Sequence, residues 1–232
     1  MKVNRRIDHT PMAFLRRTVA AQIHALGLVL IWFEMALLLP KTYAVGADHF
    51  WASLVFLVTG ALVFFTSSLY HFLHDGYEIS PNLEHFLEDF DHYCIYLFIA
   101  GTYTPVLVNA VAPPWNIRLL IAVWTIAAVG IFYTKLRPRL FPILRSRSVY
   151  TGLFVIMGWL IIVRTNEIYS RLSPLQLGFL VGGMLAYFIG AIGYATQRPK
   201  LAVGLFGYHE VWHLMVLSGA VLHFICIYSF YV

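Results

Sequence analysis

The sequence predicts an all-α membrane protein built as a bundle of seven transmembrane helices. Two observations carry this. The 232 residues are 60% hydrophobic and 12% charged, with a mean hydropathy of +0.74, whereas soluble domains carry roughly 25% charged residues. The apolar residues also fall into seven separated stretches, each near the ~20 residues that a helix needs to cross the hydrocarbon core. None alternates with period two, and each is longer than the ~10 residues of a transmembrane β-strand, so a barrel is excluded.

In chain order the stretches run approximately from Val19 to Pro40, Trp51 to Tyr70, Cys94 to Val111, Ile117 to Tyr133, Val149 to Val163, Leu175 to Tyr194 and Val211 to Val232. Residues 1–18 read as a basic tail with no small-residue cleavage site before the first span, which is therefore expected to be retained and to act as the targeting signal. Residues 19–232 form the helical domain, with no internal repeat.

Orientation follows from the basic residues, which membrane insertion leaves in the cytoplasm. The tail, the loop 135–147 and the segment around Arg198 and Lys200 hold twelve of the sixteen lysines and arginines. With seven spans, the N-terminus is expected in the cytoplasm and the C-terminus outside. The formal charge of +5 needs no nucleic-acid partner. Its clustering at span ends is what topology alone produces, and the expected partners of these side chains are anionic membrane lipids.

Four features fall outside this pattern. The segment 74–92 carries six of the eleven acidic residues and no lysine or arginine. It reads as a loop with a short amphipathic helix started by Ser80 and Pro81, whose end could feed side chains into a site. Cys94 and Cys226 lie inside spans, without disulfide or zinc-knuckle spacing, and read as small core residues. Gly178, Gly182, Ala186 and Gly190 form a stripe of small residues at four-residue spacing, which points to close helix packing. The stripe does not say whether the partner is in the same chain or in a second copy, so an oligomer stays open. Glu34 lies inside the first span, where a carboxylate is costly unless paired, protonated or wet, and is expected toward the outer side.

Sorting the histidines by depth gathers a site. His209 and His213 open the seventh span four residues apart, about 40° and 6 Å from each other on a helix, so both rings can reach one ion. His71 closes the second span on the same side, Ser67 sits one turn above it, and Asp91 begins the third span. Taken singly, each histidine is an ordinary interfacial polar residue. Together, three neutral imidazoles with an open fourth position describe a catalytic Zn²⁺ site, with Asp91 and Ser67 as candidate catalytic residues. His223 should lie about 15 Å deeper. His24 and His49 are assigned to other depths or the opposite side, and His74, His85 and His92 are held in reserve.

At these positions the sequence resembles the progestin and adipoQ receptor family, specifically its hemolysin III branch. The resemblance rests on SSLYH (67–71), DHYCIYLFIAGTYTP (91–105) and HEVWHLMVLSGAVLHF (209–224). It implies a seven-helix bundle with a zinc ion near the cytoplasmic face, held by His71, His209 and His213 beside Ser67 and Asp91. It also implies a membrane hydrolase of lipid amides or esters, ceramidase-like, with a role in membrane lipid homeostasis.

Three other readings compete. Glu210 turns the last block into His-Glu-x-x-His, the helix of a metalloprotease with glutamate as general base, for which Asp75 could be proposed as third ligand. A non-enzymatic receptor or membrane-stress regulator would use zinc only to staple helices. The family name adds a pore-forming cytolysin, against which the spans show no repeated polar face to line a channel.

Overall fold

The computed structural model describes residues 14–15, 18–140, 147–201 and 206–232. Most of the basic tail and the centre of the basic loop 135–147 lie outside them. The elements are α1 (Val19–Val45), α2 (Ala47–Gly76), α3 (Pro81–Ala110), α4 (Trp115–Leu140), α5 (Arg147–Gly158), a 3₁₀ turn (Leu160–Arg164), α6 (Thr165–Arg171), α7 (Pro174–Thr196) and α8 (Tyr208–Tyr228). Among the described residues, seven spans are long and apolar enough to cross a membrane, the fifth being assembled from α5, the 3₁₀ turn and α6.

Several helices run further than the apolar stretches alone suggest. α1 continues through Pro40 to Val45. Gly46 alone joins it to α2 with φ 155°, a conformation that glycine adopts without a Cβ clash. α2 continues through His71 to Gly76. The start signal at Ser80 and Pro81 is real: the Ser80 hydroxyl accepts from the Leu83 amide at 3.4 Å, with Pro81 in the first turn. The helix it starts is not a separate amphipathic piece. It runs unbroken into the third span, so Asp91 sits ten residues inside α3 rather than at its beginning.

The fifth span is the irregular one. Backbone groups freed at the α5 break need partners inside the membrane, and Tyr103 of α3 supplies them. Its buried hydroxyl donates to the Gly158 carbonyl at 2.8 Å and accepts from the Ile161 amide at 2.9 Å. Beyond the break, Arg164 and Arg171 flank Glu167 at 2.7 and 3.4 Å.

α1 packs between α2 and α8, α2 against α3, α3 against α4 and α5, α5 against α7, and α7 along α8. Six spans thereby enclose a central cavity, and among the described residues none of α4 lines it. α4 docks on the outside of α3, where the buried Tyr96 ring lies against Gly130. Trp32, Phe33, Ile121, Phe132 and Ile156 point outward and are exposed, an apolar perimeter suited to lipid.

The small-residue stripe is only partly a packing face. Gly190 is buried against Met215 and Trp212 and Gly182 touches Leu222, all on α8, whereas Gly178 has nothing within 4 Å of an added Cβ. The tightest approach involves a glycine outside the stripe, Gly183, covered by His223. The reason is geometric: four-residue steps drift about 40° each, so Gly178 stands about 120° away from Gly190, whereas Gly183 and Gly190, seven apart, differ by only about 20°.

Candidate metal centre

Adjacent spans run in opposite directions, so the start of α1, the end of α2, the first third of α3 and the start of α8 share one end of the bundle. The four-residue spacings do the rest. His71, one turn beyond Ser67, meets His209 and His213 of α8 with ring centroids 4.7 and 4.6 Å away, and the two α8 rings stack at 4.7 Å. One ligand nitrogen from each of the three lies within 4.8 Å of the others. His71 and His213 are buried and His209 is half-buried.

The arrangement fits a metal ion better than it fits hydrogen bonding among imidazoles. His71 Nε2 and His209 Nε2 face each other at 3.4 Å, close to the separation of about 3.4 Å that two tetrahedral nitrogen ligands at 2.0–2.1 Å would have. His213 Nε2 is buried and has no hydrogen-bond partner. The ring nitrogens on the other side are backed by protein. His71 Nδ1 lies 3.4 Å from the Asp75 carboxylate, an ion-pair distance without a hydrogen bond. His213 Nδ1 lies 2.9 Å from His24 Nε2.

Asp91, buried on α3, faces the Ser67 hydroxyl and has Oδ1 without a partner. With His71, His209 and His213 it borders the opening at this end of the bundle. With Ser67, His24 and His213 it also borders the central cavity. Lining residues on α3 extend from Asp91 to Val106, fifteen residues or about 22 Å along a helix. Below the polar end the walls are mostly apolar, among them Ile99, Phe154, Leu180 and Met184, with Thr102, Tyr187 and His223 among the polar exceptions.

One assignment from the sequence is overturned. His24 belongs to the centre: it is 3% exposed and its ring is 4.2 Å from that of His213. It stands on the sixth residue of α1, at the end where α1 enters, so the depth rule that found the other histidines would have found it. Asp75, weighed as a protease ligand, sits behind His71 instead of within the cluster. Glu210 accepts the Gly207 amide at 2.7 Å, capping α8 rather than standing ready as a base. The reserves do not join the cluster. His74 pairs with Glu84 at 3.2 Å, and His85 and His92 turn Nδ1 onto the Pro81 and Glu88 carbonyls of their own helix. His223 bonds the Leu180 carbonyl at 3.1 Å, and His49 meets Tyr231 at 3.2 Å.

Residues 12–224 match the family model described as haemolysin-III related. The chain belongs to the haemolysin-III-related family. It is 33% identical over 221 residues to Hemolysin-3 of Bacillus cereus, covering 94% of this chain and 93% of that one. Over 207 residues it is 28% identical to the Hemolysin-3 homolog of Bacillus subtilis (strain 168), with 88% and 89% covered. A more distant relative is the human Monocyte to macrophage differentiation factor, 23% identical over 190 residues, 79% of this chain and 73% of that protein. The matched residues of the haemolysin-III-related chain include all three histidines of the cluster, His24, Ser67 and Asp91.

Proposed function

We propose that this protein is a zinc-dependent hydrolase of lipid amides or esters, acting in the cytoplasmic membrane of a bacterium with the metal centre at the cytoplasmic face. The observation that carries the reading is the junction at Asp91. A cluster of inward-facing imidazole nitrogens meets the polar end of an apolar cavity there. About 22 Å of lined depth exceeds one leaflet, half of the ~30 Å hydrocarbon core, a length that matches a lipid chain lying lengthwise. His71, His209 and His213 would hold the zinc. The chemistry that zinc supplies with three neutral ligands is Lewis acidity, able to lower the pKa of water from about 15.7 toward about 7.

The chain's own residues supply the rest. The cavity walls align the acyl chain so that its carbonyl carbon reaches the end bordered by Asp91 and Ser67. As water adds to that carbon, Asp91 accepts its proton and Ser67 donates a hydrogen bond to the oxygen that gains charge. Asp91 then passes the proton to the departing nitrogen or oxygen as the C–N or C–O bond breaks, which leaves a carboxylic acid and an amine or alcohol. The test is turnover of ceramide-like and phospholipid substrates by wild type, Asp91→Ala and Ser67→Ala, with zinc content measured alongside. Zinc retained with turnover lost in Asp91→Ala supports the scheme, whereas equal turnover in all three sinks it.

A structural zinc in a non-enzymatic receptor or stress regulator has one observation of its own. α2 and α8 make little contact apart from the histidines, so an ion there would tie two otherwise separate helices. Chelation that lowers the thermal midpoint of a protein with no turnover of any lipid would favour it. Cytolysis, suggested by the relatives' names, finds no support in a cavity whose depth is mostly apolar. The proposed orientation predicts a cytoplasmic N-terminal and an external C-terminal reporter. Both reporters on one side would overturn it.

A further inference from the structure

We infer that His24 is a positioning residue of the metal centre, holding His213 through Nδ1 so that Nε2 is presented to the site. The inference rests on the metal reading above and extends it to a helix, α1, that contributes none of the three clustered ligands.

Proton placement gives the argument its direction. A histidine that ligates through Nε2 must carry its remaining proton on Nδ1, so His213 Nδ1–H has to donate. The acceptor within reach is His24 Nε2 at 2.9 Å. His24 must then be neutral and protonated on Nδ1. Both rings are almost wholly buried, at 3% and 2% exposure, and they meet nearly perpendicular, at 83°.

Outer partners of this kind fix the ring orientation and tautomer of a metal-binding histidine and raise its basicity. Each of the two buried histidines of the cluster has a polar side chain behind it, hydrogen-bonded only at His213. Behind His71 stands Asp75 at 3.4 Å, about one-quarter exposed on the same helix. Behind His213, deeper in the bundle, a second carboxylate would be costly to desolvate, and a neutral imidazole accepts the same proton without adding charge. His24 is itself held: Phe64 packs edge-on against it with centroids 5.2 Å apart, and the Phe64 ring covers Gly27, three residues further along α1.

The experiment uses full-length protein in detergent micelles. Zinc affinity is measured by competition with a chromogenic chelator, and ligand geometry by the visible spectrum of the cobalt-substituted protein. His24→Phe keeps a ring but loses the acceptor, and His24→Gln restores an acceptor through Oε1. The expected result is about 10- to 100-fold weaker zinc binding in His24→Phe, with an altered cobalt spectrum and substantial recovery of both in His24→Gln. If phenylalanine prevents folding, His24→Leu against His24→Gln makes the same comparison. Wild-type affinity in the apolar variant would overturn the inference. Equal losses in the apolar and glutamine variants, tracking a fall in the metal-free thermal midpoint, would also overturn it by showing a packing role. A cobalt spectrum with a fourth imidazole that disappears with His24 would make it a ligand instead. A wild type that binds no zinc would overturn the metal reading together with this inference, whereas the other adverse results leave that reading standing.

Discussion

Gly27→Ala should disturb the metal centre from the far side of an aromatic ring. A Cβ at Gly27 would come 2.6 Å from Phe64 Cδ1, where ordinary contact begins at 3.4 Å, so the ring must yield by about 0.8 Å. Phe64 has nowhere open to go: it is 1% exposed, with Phe98 at 6.1 Å and His24 at 5.2 Å between centroids. Overpacking of this kind costs about 1–3 kcal/mol, against a helix-propensity gain of up to about 1 kcal/mol for alanine over glycine. Gly178→Ala supplies the control, since it offers the same propensity gain with nothing within 4 Å. The thermal midpoint of Gly27→Ala should therefore fall below that of Gly178→Ala by about 2–12 °C, using 2–4 °C per kcal/mol for a chain of this size. Thermal unfolding of both purified variants, with and without zinc, measures the difference. Zinc affinity should also weaken in Gly27→Ala alone, because the displaced ring presses on His24. Identical midpoints and zinc affinities in the two variants would refute the reasoning.

Zinc at 100-fold excess over its dissociation constant should stabilise the wild type by about 2.7 kcal/mol. His71→Ala and His213→Ala should lose that increment in a chelator-controlled melt, and an undiminished increment in either would place the ion elsewhere. Tyr103→Phe should cost about 1–3 kcal/mol or more, since the Gly158 carbonyl and the Ile161 amide both lose a buried partner; an unchanged midpoint would mean that the break in the fifth span is satisfied another way. Glu34→Leu should raise the midpoint, because the carboxylate is buried in α1 with Oε2 unpartnered, and a fall would assign Glu34 a partner or a task. Glu210→Gln should leave zinc content unchanged, as the side chain caps α8, and loss of the metal would return it to the site.

The number of spans was legible because the hydrocarbon core imposes a length and a polarity on every crossing segment, independent of what the segment packs against. Where each helix ends was not set by that constraint. α2 and α3 continue past their apolar stretches through polar residues, among them His71, Asp75, Glu84 and Glu88, because a helix supplies its own backbone hydrogen bonds in water as well as in lipid. The break in the fifth span was equally silent in the sequence. Its remedy is the hydroxyl of Tyr103, 58 residues from Ile161, and no local pattern reports a partner at that distance.

The centre was legible to the extent that it is built from helical periodicity. Ser67 to His71 and His209 to His213 are one-turn spacings, and a seven-span topology with alternating directions brings them to one end. Asp91 is reached by the same depth argument although its helix starts thirteen residues earlier than the apolar stretch implies. His24 has no partner at helical spacing, and a rule that looks for pairs passes over it even though its depth is right. Its significance lies in which nitrogen faces which neighbour, and ring orientation is fixed only by packing, here by Phe64 against Gly27. The same reason separates Glu210 from a protease base: the His-Glu-x-x-His spacing is intact, yet the carboxylate is spent on the Gly207 amide. Spacing places ligands around a site, and the groups behind those ligands decide whether their nitrogens can use it.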